Sequence, residues 1–283
     1  MAVDFISVTL RALGFTALFQ AVGLAFFLAL FGRELTQPWP GLRRIGGIAA
    51  TAGLLLVLVH PALEAPRMAG DFPGLWDSQL QRLAWSSGSG MSALVEAAGL
   101  LGLAVSLPSH AGGAARWAAL WGLIAIGGFL LTGHTSTHPL RPVLAALLAL
   151  HLFVVALWFG SLAPLLLVIR EEARPLAARI LERYSAIAGW LVPLILVAGL
   201  CLAWILAGSL AVLRRPYGQL LIAKIVGFAL LMLLAAANRW RLVPALAAGS
   251  PVSALGRSIL MEIALLVAVL STTAVLTTYY SPH

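Results

Sequence analysis

Seven ionisable side chains stand inside or at the ends of long apolar segments, where an uncompensated charge costs several kcal/mol. They comprise four imidazoles, two cations and one carboxylate: His60, His134, His138, His151, Arg11, Lys224 and Glu96. Imidazole is a good ligand for copper, zinc, iron and nickel, and two imidazoles can hold a haem iron axially. The residue types therefore indicate a metal-ion or haem site assembled from several apolar segments.

The histidines differ in how far they lie from the ends of these segments. His151 lies roughly 12 Å into its segment at the helical rise per residue, too deep to reach water. His134 ends the preceding segment, and a short loop makes the two segments antiparallel neighbours. We predict His134 and His151 as the main metal ligands and His60 and His138 as second choices. A hydrogen-bonded helix-end histidine fits His60 equally well, and a solvated loop residue fits His138.

The charged residues can support such a site. Glu96 would offset the charge of an ion or orient a histidine, while Arg11 and Lys224 would position that carboxylate or repel the ion onward. Structural ion pairs or side chains reaching the interface are the alternatives, and Glu96 is the expected partner of Lys224. Glu262 lies near the start of the last apolar segment, where it provides a possible inner site or simply caps the helix.

Helices that cross a membrane must position these residues. The chain of 283 residues is 61% hydrophobic and 10% charged, whereas soluble domains contain about 25% charged residues. This composition excludes a soluble enzyme. Eight segments reach the roughly 20 apolar residues that a bilayer requires: 5–31, 45–63, 89–107, 117–133, 143–169, 186–208, 218–237 and 258–278. The predicted fold is an all-α bundle of about eight transmembrane helices in a lipid bilayer.

The arginine distribution predicts the orientation of the bundle. Eight spans put both termini on one side, and with that side periplasmic, eleven loop arginines are cytoplasmic and five are periplasmic. Basic residues concentrate in cytoplasmic loops, so both termini are expected in the periplasm. The net charge of +8 then reflects topology, and we expect no nucleic-acid partner.

Two loops and the single cysteine complete the description. Residues 170–185 alternate Arg and Glu with apolar residues at helical spacing, which predicts an amphipathic extension at the cytoplasmic surface. Residues 64–88 suit a second interfacial segment. Cys201 lies in an apolar run and excludes an internal disulfide or a cysteine cluster.

Several short runs, taken in order, resemble the copper resistance protein D (CopD) family. They are Leu131–His134, His151 followed by Trp158–Leu165, Arg183–Ala188, Pro216–Lys224, Asn238-Arg239 and Glu262. The resemblance covers about 117–283 well and the N-terminal helices only loosely. We therefore divide the chain into a region at 1–116, holding the first three membrane helices, and a CopD-like membrane domain at 117–283, together forming one bundle.

The resemblance implies a multi-pass bacterial inner-membrane protein that handles copper, often with a periplasmic partner of the CopC type. The preferred function is copper transport or handling, with uptake from the periplasm toward the cytoplasm and no enzymatic activity. A fainter resemblance to haem-binding membrane proteins of the HemJ type keeps a second function open. In that alternative, His134 and His151 hold haem b in an electron carrier or a haem-dependent oxidoreductase. A structural membrane protein without a metal leaves His151 and Lys224 unexplained.

The arginine asymmetry yields a prediction about topology. Alkaline phosphatase fused after His283 is expected to be active, because the enzyme folds only in the periplasm and the C-terminus should lie there. An inactive phosphatase fusion, together with a fluorescent cytoplasmic reporter at the same position, would reverse the orientation.

Overall fold

The computed structural model describes residues 2–36, 39–109, 113–207 and 210–280. In chain order the α-helices are α1 (Ala2–Phe31), α2 (Trp39–Ala62), α3 (Glu64–Ala69), α4 (Ser78–Ser86), α5 (Gly88–Ser106), α6 (Ala114–Gly128), α7 (His134–Thr137), α8 (Arg141–Glu171), α9 (Arg174–Ala207), α10 (Pro216–Ala237), α11 (Val243–Ala247) and α12 (Val252–Tyr279). Short 3-10 helices cover Phe72–Trp76, Phe129–Leu131 and Leu210–Arg214, and a π-helix covers Asn238–Leu242.

Eight helical spans within these ranges are long and apolar enough to cross a membrane. They are α1, α2 with α3, α5, α6, α8, α9, α10 with α11, and α12. The predicted all-α membrane fold with eight spans is confirmed. We call the side of the bundle where α1 begins the N-terminal face; α12 ends on the same side because the number of spans is even.

Helix α1 lies at the centre of the bundle and packs against α2, α6, α8 and α12. Phe27, Phe31 and Leu24 of this helix are fully buried. Helix α10 lies at the periphery, where it packs mainly against α12. Burial of α1 by later helices joins the two ends of the sequence into one packed core.

The amphipathic extension predicted at 170–185 is largely helical, and its apolar face packs on the bundle. Most of it forms the first turns of the 34-residue helix α9, and Ala177, Ile180 and Leu181 belong to the buried core. Phe31 packs near Tyr184 with ring centroids 6.5 Å apart, and Arg183 donates to Glu34 in an ion pair. Because α1 and its C-terminal extension offer this apolar and acidic surface, the amphipathic stretch packs against protein.

Helices α1 and α8 approach so closely that their contact allows only glycine. A Cβ built on Gly23 would lie 1.8 Å from the Ala156 carbonyl oxygen, and one on Gly160 would lie 2.5 Å from the Gly23 Cα. Beside this crossing, the Gln20 side chain donates to the Gly160 carbonyl at 3.0 Å. Small residues at helix crossings allow such backbone contact inside membranes.

This crossing predicts the effect of adding a single methyl group. Gly23→Ala is expected to destabilise the protein by about 1–3 kcal/mol or more, because two backbones must separate. Gly127→Ala is the matched control, since a Cβ there meets nothing within 4 Å. Thermal unfolding in detergent measures both variants. Equal stability of the two would contradict the close α1–α8 crossing.

Candidate functional site

A cavity of about 60 Å³ lies between α1, α2 and α5 near the N-terminal face. Arg11, His60 and Glu96 line it, one from each helix, with Ser89, Ser92 and Thr132 as its other polar residues. The structure therefore brings three of the predicted site residues to one place. A cation, an imidazole and a carboxylate share this cavity.

His60, one of the residues that line the cavity, has an unpaired ring nitrogen. Its Nε2 atom is buried and has no hydrogen-bond partner among the described residues. Leaving a buried polar atom unpaired is costly, so such an atom in a native protein requires an explanation. The interpretation of His60 as a helix-end residue satisfied by hydrogen bonding does not account for this atom. A ligand in the cavity does.

Glu96 is buried beside the same cavity and is held by a neighbouring serine. The Ser92 hydroxyl lies 2.8 Å from Glu96 Oε1, to which it donates, and also 2.8 Å from the Gly128 carbonyl oxygen. Gly128 packs directly on this carboxylate, since a Cβ there would lie 2.5 Å from Glu96 Cγ. The sequence interpretation missed Ser92, although a spacing of four residues places both side chains on one helix face.

Arg11 connects the cavity to the end of the last helix. Its Nη1 donates to the Thr277 carbonyl at 3.4 Å, and its guanidinium lies 5.6 Å from the centre of the Phe15 ring. Arg67, which the sequence interpretation did not single out, donates to Asp4, Glu64 and the Thr278 carbonyl. Two arginines thus fasten the beginning of the bundle to the end of α12.

His151 and Lys224 lie outside this cavity. His151 Nδ1 lies 3.2 Å from the Ile195 carbonyl oxygen of α9, and its ring packs close to Gly199. The expected ion pair between Lys224 and Glu96 is not found among the described residues. Lys224 belongs to α10, which packs on α12, whereas α5 packs on α2 and α6. Lys224 and Glu96 were predicted at a similar depth, but their helices pack against different neighbours.

The remaining two predicted ligands are in or after the short helix α7. The side chain of His134 lies outside the described residues, so its pairing with His151 stays a prediction. His138 Nδ1 accepts a hydrogen bond from the Leu140 amide at 3.0 Å, next to the start of α8. Within the part of the chain that is described, no group of three or more His, Cys, Asp or Glu residues is arranged to hold a metal ion.

Glu262 forms a second buried polar site, on the opposite side of the bundle core. Helix α12 begins at Val252, so Glu262 lies about 15 Å into the helix and the predicted capping role is wrong. Trp158 Nε1 donates to its Oε2 at 3.3 Å, and the Asn238 amide donates to its Oε1. Tyr184 donates to the Trp158 carbonyl at 3.3 Å. Four helical segments meet at this carboxylate.

Comparison with known proteins finds a family model and relatives that this chain resembles. Residues 178–276 match the family model for copper resistance protein D. The inner membrane protein YebZ of Escherichia coli (strain K12) is 34% identical over 99 residues, which is 34% of each chain. The copper transport protein CutJ of Bacillus subtilis (strain 168) is 29% identical over 294 residues, covering 96% of this chain and 52% of CutJ.

The matched regions differ in extent. This chain spans about half the length of CutJ, and its match to YebZ covers about a third. The family segment holds Tyr184, Lys224, Asn238 and Glu262 but neither His60 nor Glu96. No solved structure matches the chain significantly. These matches confirm the predicted resemblance to the copper resistance protein D family, and together with the eight apolar helices they identify the chain as a multi-pass inner-membrane protein.

Proposed function

We propose that the protein transports copper across the inner membrane, and that the ion first binds in the cavity lined by Arg11, His60 and Glu96. The family match and the similarity to a protein named as a copper transporter support copper as the substrate. No enzymatic step is part of this proposal. The ion moves from the periplasm toward the cytoplasm, which requires the N-terminal face to be periplasmic.

The observation that carries the proposal is the free Nε2 atom of His60 on the cavity wall. An imidazole nitrogen without a hydrogen-bond partner is ready to bind a metal ion, and copper binds imidazole well. Glu96, on the same wall, compensates the positive charge of the ion at a depth where water cannot. An imidazole and a carboxylate together make a cation site.

Arg11 weakens the binding of a cation in the same cavity and so favours its release. A transport site must bind well enough to load and weakly enough to unload. The guanidinium on the wall repels a cation and weakens its binding, while its bond to the Thr277 carbonyl holds it in position. His134 and His151 remain proposed ligands for the next step inward, because His151 lies deeper on α8. A periplasmic protein of the CopC type is the proposed donor of the ion.

Replacing His60 tests the entry site. His60→Ala is expected to reduce copper affinity by at least the roughly 10–100-fold that loss of a group supporting a ligand costs. Cells expressing the variant should accumulate less copper at equal protein level. Val59→Ala is the matched control, because Val59 is the preceding residue of α2 and its side chain is exposed. Equal copper accumulation by wild type and His60→Ala would refute the role of this cavity.

A second test addresses the two histidines that the sequence favoured. His134→Ala and His151→Ala should each lower copper accumulation, whereas changing the terminal residue His283 should have no effect. Unchanged accumulation in both single variants and in the double variant would exclude these two ligands. The visible spectrum of the purified protein separates the haem alternative, since a Soret band that disappears in these variants would assign the histidines to haem b.

A further inference from the structure

The carboxylate of Glu262 is buried and is bound only by neutral donors. Its side chain is 3% exposed. The Trp158 indole donates to Oε2 and the Asn238 amide to Oε1, so each oxygen has a partner. No ion pair to Glu262 occurs within residues 2–36, 39–109, 113–207 and 210–280. A carboxylate in such a place keeps its charge only at a high cost in free energy.

Among the described residues, no basic side chain of the helices packed around Glu262 forms an ion pair with it. Helix α8 supplies Trp158, and α9 supplies Tyr184, whose hydroxyl is bound to the Trp158 carbonyl. The nearest basic residue of the π-helix, Arg239, donates instead to the Ser185 carbonyl. Helix α1 has its ionisable residues near the N-terminal face, and α11 has none. Helix α10 carries Lys224, which lies 14 residues before Asn238 and so about 21 Å away along the helix. Within the described part of the chain, the charge of Glu262 is therefore held by hydrogen bonds alone.

Asn238 is able to serve either protonation state of this carboxyl group. In the present arrangement its Nδ2 donates to Oε1, while its Oδ1 is buried and has no hydrogen-bond partner among the described residues. A carboxylate accepts hydrogen bonds only, whereas a carboxylic acid also has one O–H to donate. Rotation of the amide by half a turn would present Oδ1 to that O–H. The same two residues can thus keep their mutual hydrogen bond with or without the proton.

We propose that Glu262 and Asn238 form a proton-binding switch within the membrane. A hydronium ion of the aqueous phase gives its proton to Glu262 Oε1 and becomes water, the carboxylate becomes a neutral carboxylic acid, and the new O–H donates to Asn238 Oδ1 after the amide rotates. Release of the proton restores the arrangement in which Nδ2 donates to Oε1. Trp158 holds Oε2 in both states, so the change is confined to Oε1 and the amide.

The position of Asn238 in the chain provides a way to transmit this change. It is the first residue of the π-helix that joins α10 to α11, and such helical irregularities occur frequently at functional sites. Rotation of its amide therefore takes place where the backbone already departs from α-helical bonding. The inference deepens the proposed function by naming the proton as the ion coupled to copper transport. Proton binding by Glu262 does not rest on the proposed function, whereas the coupling does.

Infrared difference spectroscopy of the purified protein tests proton binding without copper. A C=O band of a protonated carboxylic acid should appear as the pH falls from mildly alkaline to mildly acidic values. The band should be lost in Glu262→Gln and kept in Glu96→Gln, which removes a second buried carboxyl group of the membrane helices. A band that is unchanged in Glu262→Gln would overturn the proposal. The same titration with sodium in place of potassium should be identical; a dependence on sodium would assign the site to that cation instead.

A second variant keeps the test decisive where Glu262→Gln fails to fold. Asn238→Leu retains the carboxyl group but removes the amide, so the band should remain and shift in frequency because its O–H loses Oδ1 as acceptor. An unshifted band would refute the switch. In proteoliposomes, copper addition should move protons in wild type and not in Glu262→Gln. If protons bind but copper moves none of them, only the coupling of protons to copper transport is contradicted. If the wild-type protein transports no copper, only the proposed function is contradicted.

Discussion

A bilayer offers its proteins no water, so every polar group in a membrane helix must find its partner inside the bundle. This constraint determines where the polar residues of this chain lie. Glu96 takes a hydrogen bond from Ser92, Glu262 from Trp158 and Asn238, and His151 pairs with a carbonyl oxygen of α9. His60 Nε2 is one of several buried polar atoms that have no hydrogen-bond partner among the described residues, and its side chain also lines the cavity. The combination of an unpartnered imidazole nitrogen and adjacent open space supports the proposal of a ligand there.

The number of spans was predictable because it depends on length and apolarity, which can be read along the chain. The placement of residues 174–185 was not, since an amphipathic helix has the same sequence pattern whether its apolar face meets lipid headgroups or protein. What decides between them is the surface of α1, where Phe31 and Glu34 contact Tyr184 and Arg183. That surface lies some 150 residues away in sequence and exists only after the bundle forms.

The candidate site was likewise predictable from the sequence only in part. Distance along a helix gives depth, so the sequence predicted Arg11, His60 and Glu96 at a common depth, and in the structure these three residues line one cavity. The sequence does not show which helices are neighbours in the bundle. Lys224 was therefore predicted to form an ion pair with Glu96, although α10 and α5 pack on different neighbours. Residues on α1, α2 and α5 meet because these helices pack together. The hydrogen bond from Ser92 to Glu96 could have been predicted from their spacing alone. The contact between Asn238 and Glu262, by contrast, depends on α10 packing against α12.

The two buried carboxylates differ in what surrounds them, and that difference separates their proposed roles. Glu96 shares a cavity with an unpaired imidazole nitrogen and a guanidinium, which together accommodate a cation and limit how tightly it is held. Glu262 has neutral donors on both oxygens and an amide that can reverse its hydrogen bond. A proton needs no cavity and only one oxygen, whereas a metal ion needs space and several donors. The first surroundings fit the proposed copper site and the second fit the proposed proton site, so the two proposals assign the transported ion and the coupling ion to separate parts of one bundle.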